Sequence, residues 1–203
     1  MKNRLQFKTL LARFVTLLPL VALTACSKTV QWEEEVPLNT GDVIWVKREA
    51  TYKLQGAGGN PFDLGYWPSW TEEIAFEWKG KKYKYVGDAD LMLLAISPNT
   101  QRPVLVAKAT NKDWHWRNRY SCTTPFYAQF VPSADGRNWS WPPSIEPWLY
   151  NMSHNLMARR ENFGEMKNRY TASDRIEMDR TMAIQDPSSA RLDPKYTSDS
   201  CFK

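Results

Sequence analysis

The sequence predicts a mainly β fold: an antiparallel β-sandwich or small barrel with a short, partly helical C-terminal tail. Three observations carry this expectation. Apolar and polar residues alternate in short runs, the period-2 pattern of half-buried strands. Turn residues interrupt the runs about every dozen positions, as in sandwiches and small barrels of roughly seven to nine strands. All ten tryptophans lie between Trp32 and Trp148, so an aromatic body is followed by a Trp-free stretch. An α/β fold would need helices between the strands, and no helical period is visible there.

Taken in order, "DVIWVKREATYKL" (residues 42–54) places Ile44, Val46, Ala50, Tyr52 and Leu54 on one parity, interrupted at Arg48. "GAGGNP" (56–61) lacks the lysine and spacing of a phosphate-binding loop and is read as a flexible connection. "EEIAFEW" and "YKYV" flank "KGKK", so residues 72–87 predict a β-hairpin with Phe76, Trp78, Tyr83 and Tyr85 on one face. "DLMLLAIS" and "PVLVAKAT" flank "PNTQR"; their nearly continuous apolar character predicts strands buried on both sides. "PFYAQFVP" and "NWSW" flank "SADGR", with Asp135-Gly136 as the turn. In the tail, Leu156, Phe163, Met166 and Tyr170 have loosely helical spacing, and one or two short helices are expected to pack on the body. Asp174, after Ser173, is the expected cap of the second, and Pro187 bounds it.

The start of the chain has a different composition. Lys2, Arg4, Lys8 and Arg13, with no acid among them, precede an apolar run from Phe14 to Ala25, the layout of a signal peptide. That run is shorter than the roughly 20 apolar residues needed to cross a bilayer. It ends in Leu23-Thr24-Ala25-Cys26, which resembles the lipobox of bacterial lipoproteins: an aliphatic residue, two small residues and an obligatory cysteine. The resemblance covers the first 26 residues. It implies cleavage before Cys26, a thioether-linked diacylglycerol on its sulfur and a further acyl chain, such as palmitate, on its amine. Several acyl chains hold a protein firmly, since each buried methylene contributes about 0.8 kcal/mol. Serine rather than aspartate at position 27 implies the outer membrane under the lipoprotein sorting pattern, with the domain facing the periplasm. In general plan the chain is also similar to envelope lipoproteins of Gram-negative bacteria, a resemblance that brings no catalytic residues.

The expected organisation is therefore a cleaved leader (1–25), a Trp-rich β-sandwich domain from the lipidated Cys26 to residue 150, and a tail (151–203). The whole chain has 27 Lys and Arg against 22 Asp and Glu; without the four bases of the leader the balance is 23 to 22, or +1. A nucleic-acid partner, which would want a clustered basic face, loses its main support. With Cys26 assigned to lipid, Cys122 and Cys201 would face an oxidising compartment and are expected to pair. Closing a loop of about 80 residues, the bridge would add up to roughly 4–5 kcal/mol on the chain-entropy model and tether the sparsely apolar C-terminus.

No catalytic signature is present. His115 and His154 are the only histidines and have no ligand spacing, so neither a metal nor another cofactor is expected. Acid pairs such as Asp88 with Asp90, or Glu72 with Glu73, are the residue types of glycosidases, but at strand ends they read as solvated charge. Ser153-His154 lacks a nucleophile elbow. "EEE" at 33–35 reads as an exposed edge or linker cluster. The indoles stand out. Trp114 with Trp116 and Trp139 with Trp141 share parity and would each project to one side of a strand, while Trp67 and Trp70 sit in a Pro- and Gly-rich stretch. These six are the candidate binding surface, set against the ordinary use of Trp to fill a small core. The expected function is a membrane-anchored binding or structural module of the cell envelope, with a protein partner favoured. A module for cell-wall glycan is the alternative, and an envelope hydrolase stands third.

Overall fold

The computed structural model describes residues 27–56, 64–108, 127–157, 166–177 and 191–195. It is mainly β, with two sheets, as the alternation predicted. Strands β1 (Ser27–Pro37), β2 (Val43–Gly56), β3 (Leu64–Trp78) and β4 (Lys81–Gly87) form an antiparallel meander. β9 (Arg169–Tyr170) joins its far side parallel to β1, giving the order β4-β3-β2-β1-β9. A second meander, β5 (Asp90–Ile96), β6 (Pro103–Lys108), β7 (Tyr127–Pro132) and β8 (Trp139–Ser140), forms the other sheet in sequence order.

The predicted hairpin is β3–β4. Trp78 pairs with Lys81 across Lys79 and Gly80, both at positive φ (49° and 74°), which is a two-residue turn whose twist matches the strands. Phe76 and Tyr83 stack across it with ring centroids 5.3 Å apart. Val36, Val46, Ile74, Phe76 and Tyr85 from the first sheet meet Leu91, Leu94, Ile96, Leu105 and Phe130 from the second in one buried cluster. The apolar runs of β5 and β6 are buried on both faces, as expected. Leu93, Ala95, Val104 and Val106 turn away from the first sheet and are covered by Ile145, Leu149 and Leu192. An irregularity between Leu91 and Leu93 lets Leu91 and Leu94 face the same side.

β5 is an edge strand, and two asparagines seal it. Asn155 accepts from the Leu94 N–H (2.8 Å) and donates to the Leu94 carbonyl (2.7 Å) and to the Pro37 carbonyl (2.8 Å). Asn39 does the same for Ile96, accepting its N–H (2.7 Å) and donating to its carbonyl (2.9 Å). Each amide replaces one rung of a ladder, so buried backbone groups that a missing neighbour would orphan are satisfied.

The stretch after residue 150 is partly helical, as expected, but the residues whose spacing suggested a helix face lie elsewhere. Tyr170 is in β9, paired with Glu34, and Leu156 donates its backbone N–H to the Met92 carbonyl, so neither is helical. Their spacing reflects separate burial sites rather than one helix face. The helical turn described spans residues 172–177. Asp174 helps cap it from inside: Thr171 is the N-cap, its hydroxyl accepting the Asp174 N–H (3.2 Å) while Asp174 accepts the Thr171 N–H (2.8 Å). Among the described residues no helix is long and apolar enough to cross a membrane.

The break at Arg48 in the apolar row of β2 has a structural cause. Arg48 lies in the inward row, its side chain fully buried, bonded to Glu34 of β1 (2.6 Å) and ion-paired with Glu72 of β3. Its Nη1 also reaches the Met157 carbonyl (3.4 Å), and Glu34 accepts the Met157 N–H (2.9 Å). The Trp32 ring lies 5.2 Å from the guanidinium carbon. "EEE" is thus not an exposed edge cluster: β1 lies between β2 and β9, and the middle glutamate is buried while its neighbours turn to the outer face.

Candidate functional site

The outer face of the first sheet follows from the same alternation. With Val46, Ile74, Phe76, Tyr83 and Tyr85 inward, the intervening Trp45, Lys47, Ala75, Glu77, Lys82, Lys84 and Val86 project outward. Charge pairs cross this face: Lys84 with Glu73 (2.7 Å) and Lys47 with Glu33 (3.7 Å). They are exposed, and each contributes little to stability. Arg169 lies over the Trp45 ring, 3.8 Å from its centroid.

β4 is the edge of this sheet, and the β7–β8 turn is folded against it. The Lys84 N–H donates to the Gly136 carbonyl (3.2 Å), and Trp139 donates its indole N–H to the Lys84 carbonyl (2.7 Å). Gly136 is at φ +76°, and a Cβ there would come within 2.8 Å of the Lys82 carbonyl, so the tight approach needs glycine. The turn is further held by Asp135, which accepts from the Ser133 hydroxyl and from the Arg137 N–H (3.0 Å). These bonds, the Ser133 one foremost, hold the Asp135 carboxyl below the usual carboxylate range. Since Lys84 turns its backbone groups away from β3, Lys82 and Val86 do the same. The turn covers the stretch near Lys82 and Lys84, and the edge at Val86 lies beyond it.

Between this edge and the rim formed by β8 runs a cleft of about 990 Å³. Its apolar lining includes three exposed side chains: Trp45 (37 %), Val86 (57 %) and Trp141 (46 %). Trp139 is half-buried at its base, edge-on to Tyr85 with centroids 5.9 Å apart. Lys47, Lys82, Lys84 and Arg137 line it with the acids Glu77 and Asp88, and because Lys47 and Lys84 are paired with Glu33 and Glu73 its charges are close to balanced.

Of the six indoles singled out in the sequence, Trp139 and Trp141 line this cleft. They do not act as an equivalent pair: β8 ends at Ser140, Trp139 is a packed strut, and Trp141 is the exposed contact. Trp67 and Trp70 have their backbones in β3 rather than in a loop, with side chains outside the described part; Trp114 and Trp116 lie outside the described residues. Cys26, Cys122 and Cys201 also lie outside them, as does most of the "GAGGNP" connection. Core packing accounts for Trp32 and Trp78, both buried. Trp45 was legible only as one more aromatic in an alternating strand. Its outward parity was available from the sequence; the neighbours that make it part of a cleft were not.

Glu72 and Glu73 do not converge as a pair. Glu72 points inward to Arg48 and Glu73 outward to Lys84, so adjacent residues of one strand lie on opposite faces. Among the described residues no cluster of three or more histidine, cysteine or acidic side chains is placed to hold a metal ion. No known protein family, no curated protein and no solved structure matches the chain.

Proposed function

We propose that this is a lipid-anchored protein of the bacterial outer membrane, held at Cys26 and facing the periplasm, whose β-sandwich binds an extended segment of a partner protein in the cleft along β4. The observation that carries the binding reading is that one cleft is lined by Trp45, Val86 and Trp141, all exposed. Exposed aromatic side chains, Trp above all, are the usual anchors of protein interfaces. Tethering to a surface raises the effective concentration of such a module near other envelope components. A protein segment is favoured over a glycan because the exposed lining is aromatic and aliphatic, whereas sugar recognition calls for several converging polar groups between coplanar rings.

Two experiments test this. Intact mass of the protein extracted from envelopes should correspond to a chain starting at Cys26 and carrying acyl groups, and Cys26→Ala should leave the membrane fraction. A photo-reactive residue at position 141 or 45 in cells should give the same protein adduct, lost when Lys82 and Lys84 are both changed to Glu. Co-sedimentation with purified cell-wall glycan that disappears in Trp141→Ala would replace the protein partner with a sugar, and a chain intact from Met1 would remove the anchor.

A further inference from the structure

β1 pairs with β2 along its whole length without a bulge, from Ser27 opposite Lys53 to Pro37 opposite Val43. Its other side is covered only in part. The Glu33 N–H donates to the Asn168 carbonyl (2.9 Å), and β9 pairs there with Glu33 and Glu34 alone. Alternate residues of a strand turn their backbone groups to opposite sides, so Glu33 fixes the parity: Ser27, Thr29 and Gln31 also direct their N–H and C=O groups away from β2. Among the described residues no strand pairs with these three, and all three are exposed, whereas Glu33 and Glu35 beside β9 are half-buried. Other edges are closed: two asparagines seal β5, and a turn lies over β4 at Lys84. The start of β1 has neither proline nor bulge to stop a further strand from adding.

We infer that this edge pairs with the same edge of a second copy of the chain, antiparallel about a two-fold axis at Thr29. The inference rests on the reading of Cys26 as the acylated start of the mature chain. On that axis Ser27 meets Gln31 of the second copy, Thr29 meets its own equivalent, and Gln31 meets Ser27. Each pair exchanges two backbone hydrogen bonds, so every outward group of the stretch is used. The register fits the free length. Cleavage before Cys26 leaves one residue beyond Ser27; it falls opposite Trp32 of the second copy, and the chain stops just short of Glu33, where β9 takes over. A longer overlap collides with β9, and a shorter one leaves outward groups unpaired. The side chains agree with this register. Thr29 and Thr51, whose hydroxyl oxygens are 3.5 Å apart, continue across the axis into the same two residues, a row of four threonines of the kind that stabilises cross-strand pairing. Gln31, bonded to Glu49 (2.6 Å), stands beside Ser27 of the second copy, so no like charges face each other there. On the opposite face Lys28 meets Val30 of the second copy, a half-buried residue on which its methylene stem can lie. Two short edges make a small contact, and anchoring in one membrane supplies the effective concentration that it needs.

The test uses the full chain, processed in cells and kept in the envelope. Thr29→Cys sets two thiols across the axis with about 5.5 Å between Cα atoms, within the range of a disulfide. Non-reducing electrophoresis should show a disulfide-linked dimer that is absent from the parent and from Val43→Cys, a control exposed at the far end of β2. Adding Gln31→Pro to Thr29→Cys should remove the dimer. Proline lacks the outward N–H but leaves the β1–β2 ladder whole, since that N–H takes no part in it, and the circular dichroism of the variant should match the parent. The comparison of positions 29 and 43 holds whether or not the proline variant folds. Acylated Thr29→Cys protein that stays monomeric, an equal dimer from Val43→Cys, or a dimer that survives Gln31→Pro in a folded chain overturns the inference while leaving the anchor intact. Protein whose intact mass shows no acyl chains overturns both.

Discussion

Replacing Arg48 by methionine tests the centre of the first sheet. The guanidinium sits between two buried carboxylates, at 2.6 Å from Glu34 and paired with Glu72, and all three side chains are essentially without solvent contact. Methionine keeps much of the volume and a soft contact to the Trp32 ring, but leaves two acids in an apolar interior with no counter-charge. Removing one partner of a buried ionic group costs about 3–5 kcal/mol. For a domain of this size that is a fall in Tm of roughly 6–20 °C. The companion variant replaces Glu34 and Glu72 by leucine together with Arg48→Met. It removes every charge, which is nearly neutral in such exchanges. What remains is Met157, whose N–H loses the Glu34 acceptor at a cost of about 1–3 kcal/mol, and whose carbonyl loses the long Arg48 bond in the single and the triple variant alike. The triple variant should therefore be more stable than Arg48→Met alone, although it changes three residues instead of one. Denaturant unfolding of the two variants and the parent measures this. An Arg48→Met loss under about 1 kcal/mol, or a triple variant no better than the single, would refute the account of the triad.

Other sites give independent tests. Asn155→Ala orphans the N–H and carbonyl of Leu94 and the carbonyl of Pro37, and should lower stability by about 2–4 kcal/mol in the same unfolding assay. Gly136→Ala forces a side chain into φ +76° and against the Lys82 carbonyl; a loss of about 1–3 kcal/mol is expected, with reduced hydrogen-exchange protection at the Lys84 amide. Trp139→Phe loses the bond to the Lys84 carbonyl and should cost about 1–2 kcal/mol, whereas Trp141→Ala should stay within about 0.5 kcal/mol of the parent and lose partner capture. The Thr171 N–H and hydroxyl and the Lys167 ammonium lower the Asp174 pKa to about 2. A depressed carboxyl adds stability that is present above its unfolded value and lost as pH falls through the folded one. The stability difference between parent and Asp174→Asn should thus shrink between about pH 4 and pH 2. An NMR titration of the Asp174 carboxyl with its midpoint near 4 would contradict this.

What the sequence determined by itself is the local part of this molecule. The alternation in "EEIAFEW" and "YKYV" requires only that strands show two faces, so the β3–β4 hairpin and its aromatic side were legible. So were the doubly buried β5 and β6 and the Asp135-Gly136 turn, because their apolar runs and turn residues act on their own neighbours. The candidate site was half legible: indoles at 139 and 141 could be named, but not that one is a strut and the other a contact. Tertiary structure decided what depends on residues far apart in the chain. Arg48 reads as a break in a pattern until Glu34 and Glu72 arrive from neighbouring strands. Asn39 and Asn155 look like ordinary polar residues until they meet the edge of β5. Tyr170 seems to continue a helical spacing until β1 offers it a ladder. In each case the energy comes from partners brought together by register and sheet packing, and a period read along one segment carries no information about the partner it will meet.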